Sequence, residues 1–126
     1  MPWYDDKKRL LLEKSAIEKF NGFRFIKKGS QLGAVGKITT KKGDVYDIKI
    51  LFPDNYPNKV PNVYCMSPSL RDSPHQLSNN KLCYCYEYEW HSNYTVAVAI
   101  GWAAKWFDAY DHWKKTGKWK GKEAAY

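Results

Sequence analysis

The stretch VYDIKILFPDNYPNKVPNV, Val45 to Val63, decides how this chain folds. In its first half Tyr46, Ile48, Ile50 and Phe52 alternate with Val45, Asp47, Lys49 and Leu51, the period of a strand with one wholly apolar face. Its second half is punctuated by Pro53, Pro57 and Pro61. Each proline fixes φ and removes a backbone donor, so the strand runs into a stiff corner through which no sheet can continue. Beyond it, Asn62 to Met66 reads as another apolar strand. A strand, a rigid corner and a further strand set the frame to which the rest of the chain attaches.

Upstream lie two more strands. Phe23 to Lys27 closes at Gly29-Ser30, and Ala34 to Thr40 turns through Lys41-Lys42-Gly43-Asp44 into Val45. Such short connections predict an antiparallel meander. Before them, residues 3 to 20 predict a helix, with Asp5 and Asp6 in its first turn and Asn21-Gly22 as its stop. Its apolar stripe reads Leu12, Ala16 and Phe20, flanked by Leu10 and Ile17. Lys7, Lys8, Arg9 and Lys14 fall largely off that stripe, either as a solvated face or as a docking surface for an acidic partner.

Downstream, residues 67 to 93 keep no period and read as one long loop, of the kind that tends to carry function. Thr95 then predicts a helix N-cap. Ala99, Ala103, Trp106, Tyr110 and Trp113 form a core stripe, widened by Val96, Ile100 and Phe107, and Gly117 ends the element. The basic segment from Lys118 onward, Trp119 included, is expected to be loosely attached. The order is α+β: an N-terminal helix, a four-stranded antiparallel meander covered on one face, a long loop and a C-terminal helix.

Composition bounds the function. With 126 residues, the chain is expected to form a single domain over residues 1–121 with a short tail at 122–126. Its formal charge of +8 invites an acidic protein or nucleic acid as partner. The lysine clusters, however, are scattered over the first helix, two turns and the tail, which argues against a nucleic-acid face. Three cysteines, an odd number, argue against a disulfide framework and for a reducing, cytoplasmic setting. No apolar run reaches the ~18 residues of a membrane span, and the acidic N-terminus is not a signal peptide.

The chemistry concentrates in HQLSNNKLCYC, His75 to Cys85. A thiol on an irregular loop, placed after a rigid corner and before a helix, suits a nucleophile whose reactivity follows its pKa and exposure. Lys81 is positioned to lower that pKa. Taken alone, the same residues also fit a buried inert cysteine. Cys65, in alternation beside Val63, reads as core. A zinc site from Cys65, His75, Cys83 and Cys85 lacks the usual ligand spacings, so no metal is expected.

The strand ending in Phe52-Pro53, then Tyr56-Pro57, then Pro61-Asn62-Val63, then His75 ahead of Leu82-Cys83, then Trp90 and a long helix, resembles the ubiquitin-conjugating enzyme family over nearly the whole chain. The resemblance implies that fold. It also implies that Cys83 is a thioester nucleophile and His75 a structural histidine, with no cofactor. It further implies that the first helix docks an activating enzyme, here a separate protein. Eukaryotic members follow the histidine with Pro-Asn, whose Asn supports the active-site loop. Gln76-Leu77 stand there instead, and Asn79 or Asn80 would have to take that role from a different offset. Asn80 also occupies the usual glycine position. The short His75 to Cys83 interval and the Trp106, Trp113, Thr116, Gly117 and Trp119 pattern resemble the stand-alone conjugating enzymes of bacterial CBASS antiphage operons. There the modifier is the C-terminal tail of a cGAS/DncV-like nucleotidyltransferase; another ubiquitin-like modifier is the alternative. The expected activity is transfer of a protein C-terminal glycine from Cys83 to a lysine amine. The competing readings are Cys85 as nucleophile, and an inactive module that only binds a modifier.

Overall fold

The alternation that begins at Val45 becomes the central strand of a six-stranded antiparallel sheet. We describe it from a computed structural model covering residues 3–20 and 22–120. Strands β1 (Arg24–Lys28), β2 (Gln31–Thr39), β3 (Val45–Leu51) and β4 (Asn62–Ser67) pair in chain order. Tyr46, Ile48, Ile50 and Phe52 are buried, as the period-two pattern requires, and Val63 and Cys65 continue that face on β4. On β2, Leu32, Ala34 and Ile38 do the same. Gly36 breaks that series for space: a Cβ there would come within 2.4 Å of the Phe23 ring.

The long loop is more ordered than its sequence suggests. β5 (Gln76–Leu77) and β6 (Lys81–Leu82) form a hairpin that joins the free edge of β4 through Tyr64 and Lys81, giving the order β1-β2-β3-β4-β6-β5. Two-residue strands are too short to leave a period in the sequence. Asn79 and Asn80, at φ 61° and 59°, make the turn; asparagine tolerates this left-handed backbone better than most residues.

Helix α2 (Val96–Thr116) packs its predicted stripe onto the sheet, with the Phe107 ring stacked on Tyr46 at 4.4 Å. Gly117 ends it at φ 78°, its N–H bonded to the Trp113 carbonyl at 2.7 Å. The chain then returns onto the loop. Trp119, expected to be loose, packs against Trp106 at 5.3 Å and His75 at 4.8 Å. Asn21 and the 122–126 tail lie outside the described residues.

The first helix departs from its expectation. A 3-10 turn (Trp3–Asp5) leads to α1 (Lys7–Ile17), with Asp6 as N-cap accepting the Arg9 N–H at 3.2 Å. Leu12 does not face the core: it is 56 % exposed, while Glu13, Ala16 and Ile17 are buried. Glu13 is tolerated there because both its oxygens are engaged. Oε2 accepts the Tyr56 hydroxyl at 2.5 Å and pairs with Arg9 at 2.6 Å. Oε1 accepts the Val96 N–H at 2.7 Å. Thr95 occupies the N-cap position of α2 but makes no side-chain capping bond, so Glu13 of α1 supplies that acceptor instead.

The proline corner is held by aromatics. Tyr56 lies against Phe52 at 4.6 Å and Trp3 at 4.9 Å, and burial beside Glu13 pushes its phenol pKa far up. The corner's carbonyls, without ladder partners, take donors from the loop: Trp90 Nε1 bonds Pro57 O at 2.8 Å, and the Tyr84 hydroxyl bonds Pro61 O at 2.5 Å. The corner thus fixes both flanks of the loop that follows the hairpin.

Candidate active site

Leu82 is buried as the last residue of β6, and the chain leaves the sheet at the next residue, Cys83. The position of Cys83 is set through one carbonyl. His75 O accepts the Cys83 N–H at 2.9 Å and the Trp106 Nε1–H at 2.9 Å. His75 sits at φ 62°, a left-handed backbone that aims its carbonyl between hairpin and helix. One acceptor therefore joins the start of the hairpin, the thiol residue and α2. The imidazole lies edge-on to Trp119, and burial lowers its pKa below 6.5, so it is neutral at pH 7.

The Cys83 side chain is half-buried and lines a cavity of about 320 Å³ between the loop and α2. Burial pushes its thiol pKa up. Lys81 pulls the other way, as its position predicted, but does not prevail. The resting group is a thiol; its thiolate, once formed, is correspondingly basic and nucleophilic. Because Cys83 donates its own N–H to His75, that amide is not available to stabilise an oxyanion.

Cys85 lines the same cavity, so the structure brings both candidate thiols to one place. Cys65 is apart from them, 2 % exposed, donating to Pro68 O at 3.3 Å, its pKa pushed by burial to about 11. Asn79 is exposed and Asn80 half-buried. Their amides make no hydrogen bond among the described residues; what the structure assigns them is the turn. Glu89 accepts the Tyr86 N–H at 2.7 Å and borders the cavity. Glu87 and His91 are exposed.

Of the basic residues on α1, Lys7, Lys8 and Lys14 are exposed. Arg9 is not part of that surface. Its side chain is 11 % exposed and its guanidinium is spent on Glu13, the Tyr56 hydroxyl and the backbone carbonyls of Ser92 and Tyr94. The reason is local: Arg9 is one turn before Glu13 and is the cation that neutralises it.

Sequence reasoning missed the parts played by Glu13 and Trp106. Trp106 was read as core, which it is at 4 % exposure, but its N–H is the part that reaches the site. A tryptophan in a helix stripe facing an irregular loop carries that signal, since a buried indole N–H requires an acceptor.

The model of a protein family described as type II CBASS E2 protein matches residues 13–126. The chain belongs to that family. Membership gives it a place in a protein-conjugation pathway. A solved structure, "A complex of the Vps23 UEV with ubiquitin", superposes with a TM-score of 0.58 at 15 % identity, covering 79 % of this chain and 80 % of that one. That likeness shows the ubiquitin-conjugating-enzyme fold, in agreement with the α+β layout read from the sequence. No match was found among curated proteins. Among the described residues of this E2 family member, no helix is long and apolar enough to cross a membrane.

Proposed function

We propose that Cys83 carries the C-terminal glycine of a protein as a thioester and passes it to a lysine amine, the donor being the tail of a cGAS/DncV-like nucleotidyltransferase in antiphage defence. The observation that carries this reading is the fixing of Cys83. Its backbone is tied to His75 and, through the same carbonyl, to Trp106, while its side chain borders a cavity able to admit a chain end. Acyl transfer needs such placement more than it needs a strong base. Holding the reacting groups in position is itself worth several orders of magnitude in rate. Charging of the thiol is assigned to a separate activating enzyme. Lys7, Lys8 and Lys14 are the candidate contacts on α1.

Mass spectrometry of the chain co-expressed with such a nucleotidyltransferase tests this. The expected adduct maps to Cys83, is released by hydroxylamine, becomes a stable oxyester in Cys83→Ser and persists in Cys85→Ala. An adduct that survives Cys83→Ala and disappears in Cys85→Ala moves the nucleophile to Cys85.

A second reading, a module that binds a modifier without chemistry, is favoured by one observation: burial holds the Cys83 thiol protonated. A Cys83 that resists iodoacetamide even at a pH where an unfolded-chain thiol reacts fully would select it.

A further inference from the structure

We propose that the cavity beside Cys83 is a specificity subsite for a large apolar side chain, carried by the residue immediately before the C-terminal residue that the thiol holds. This rests on the thioester reading above and names the kind of tail the site selects. Trp102, Trp106 and Ala109 present one face of α2 to the cavity, and Trp119 closes it from the returning C-terminal segment. Trp102 and Trp119 are only partly buried, so aromatic surface remains for a ligand to cover. Ala109 supplies the depth: it is the small residue on a helix face that otherwise presents Trp102, Lys105 and Trp106. A cavity of about 320 Å³ with such walls lies within the range that takes a compact apolar group. A tail of glycines alone would leave these walls uncovered.

Covalent attachment determines what reaches it. Cys83 itself lines the cavity, so the acyl residue on Sγ starts at its edge. The preceding residue is about 3.8 Å further along the chain, Cα to Cα, within reach of the indoles. Lys105 and Lys120 also line the cavity, which disfavours a basic side chain there and leaves the choice of an apolar one to the indole walls.

The test uses the full chain and two synthetic peptide aryl thioesters of equal length. Both end in glycine, with either Phe or Gly before it. Cys83 Sγ attacks the thioester carbonyl, the bond to the aryl sulfur breaks, and the released aryl thiol keeps the proton. No activating enzyme or nucleotide is needed. Acylation of Cys83 is followed by intact mass, each rate divided by that of the same peptide with glutathione. The Phe peptide is expected to load about tenfold faster, the scale on which apolar pockets discriminate. In Ala109→Leu, which fills the cavity, the preference falls to roughly twofold or less, with Ala109→Val between. A wild-type ratio near one overturns the subsite and leaves the thioester reading intact, whether or not the variants fold. A preference unchanged in a folded Ala109→Leu also overturns it. Failure of both peptides to acylate Cys83 overturns the thioester reading itself.

Discussion

At Cys83 two effects oppose each other and their order matters. Burial disfavours the thiolate; Lys81 favours it; burial prevails and the thiol pKa lies above its ordinary value of 9.0. Alkylation of Cys83 is therefore expected to rise steeply only past pH 9, and to lag behind a free thiol at neutral pH. Lys81→Met removes the opposing charge and shifts that profile further upward. A profile that moves down, or an unshifted midpoint in the wild type, contradicts this account; peptide mapping separates Cys83 from Cys85. The sequence placed the thiol and its lysine side by side correctly. What it did not reveal was the depth of the site, because the cavity walls include Trp106 and Trp119, more than twenty residues away along the chain.

Among the elements, the β5–β6 hairpin and the α1–α2 junction carry separable predictions. Asn80 holds φ 59°. Asn80→Gly is expected to be neutral or slightly stabilising, whereas Asn80→Val costs about 1–3 kcal/mol, read by urea unfolding. Equal stability of the two variants would mean that the turn relaxes freely. Glu13→Ala strands Arg9 in a poorly hydrated position and leaves the Val96 N–H and Tyr56 hydroxyl without acceptors. Breaking a buried pair in this way costs about 3–5 kcal/mol; a loss below about 1 kcal/mol would show that water replaces the network. These elements also mark where reading the chain succeeded. The β3 alternation, the proline corner and the α2 stripe are periodic or stiff, so local sequence dictates them. Leu12 was misplaced because Glu13 breaks the apolar stripe of α1, and a buried carboxylate can be recognised only once its partners Arg9, Tyr56 and Val96 are seen. The hairpin was missed because its strands are two residues long and its turn uses Asn-Asn where Asn-Gly would have announced it.

For the whole molecule, acid sensitivity follows from two groups with depressed pKa values. Burial opposes the Asp111 carboxylate, but hydrogen bonds from Thr40 and Tyr46 and the charge of Lys114 outweigh it and hold the carboxyl below its usual 3.8. Asp111 thus contributes stability fully present above that value and lost as the pH falls through its folded pKa. His75, lowered from 6.5 by burial alone, must be neutral in the fold; its contribution is intact above pH 6.5 and declines as the pH drops toward the folded value. Thermal unfolding is expected to show two descending steps on acidification, one below pH 6.5 and one below pH 4. The first should vanish in His75→Gln and the second in Asp111→Asn. A single step unaffected by either change would assign acid unfolding to other groups.

The hairpin that delivers Cys83 is also the end of the sheet. β4 runs six residues, and without β6, which pairs with it at Tyr64, its outer edge would offer unpaired backbone groups to any passing strand. The loop that carries the thiol therefore also covers part of that edge. A sequence change that loosens it to widen the cavity would uncover more of that edge, so this family member's freedom to vary the loop is limited by colloidal stability as well as by the site the loop carries.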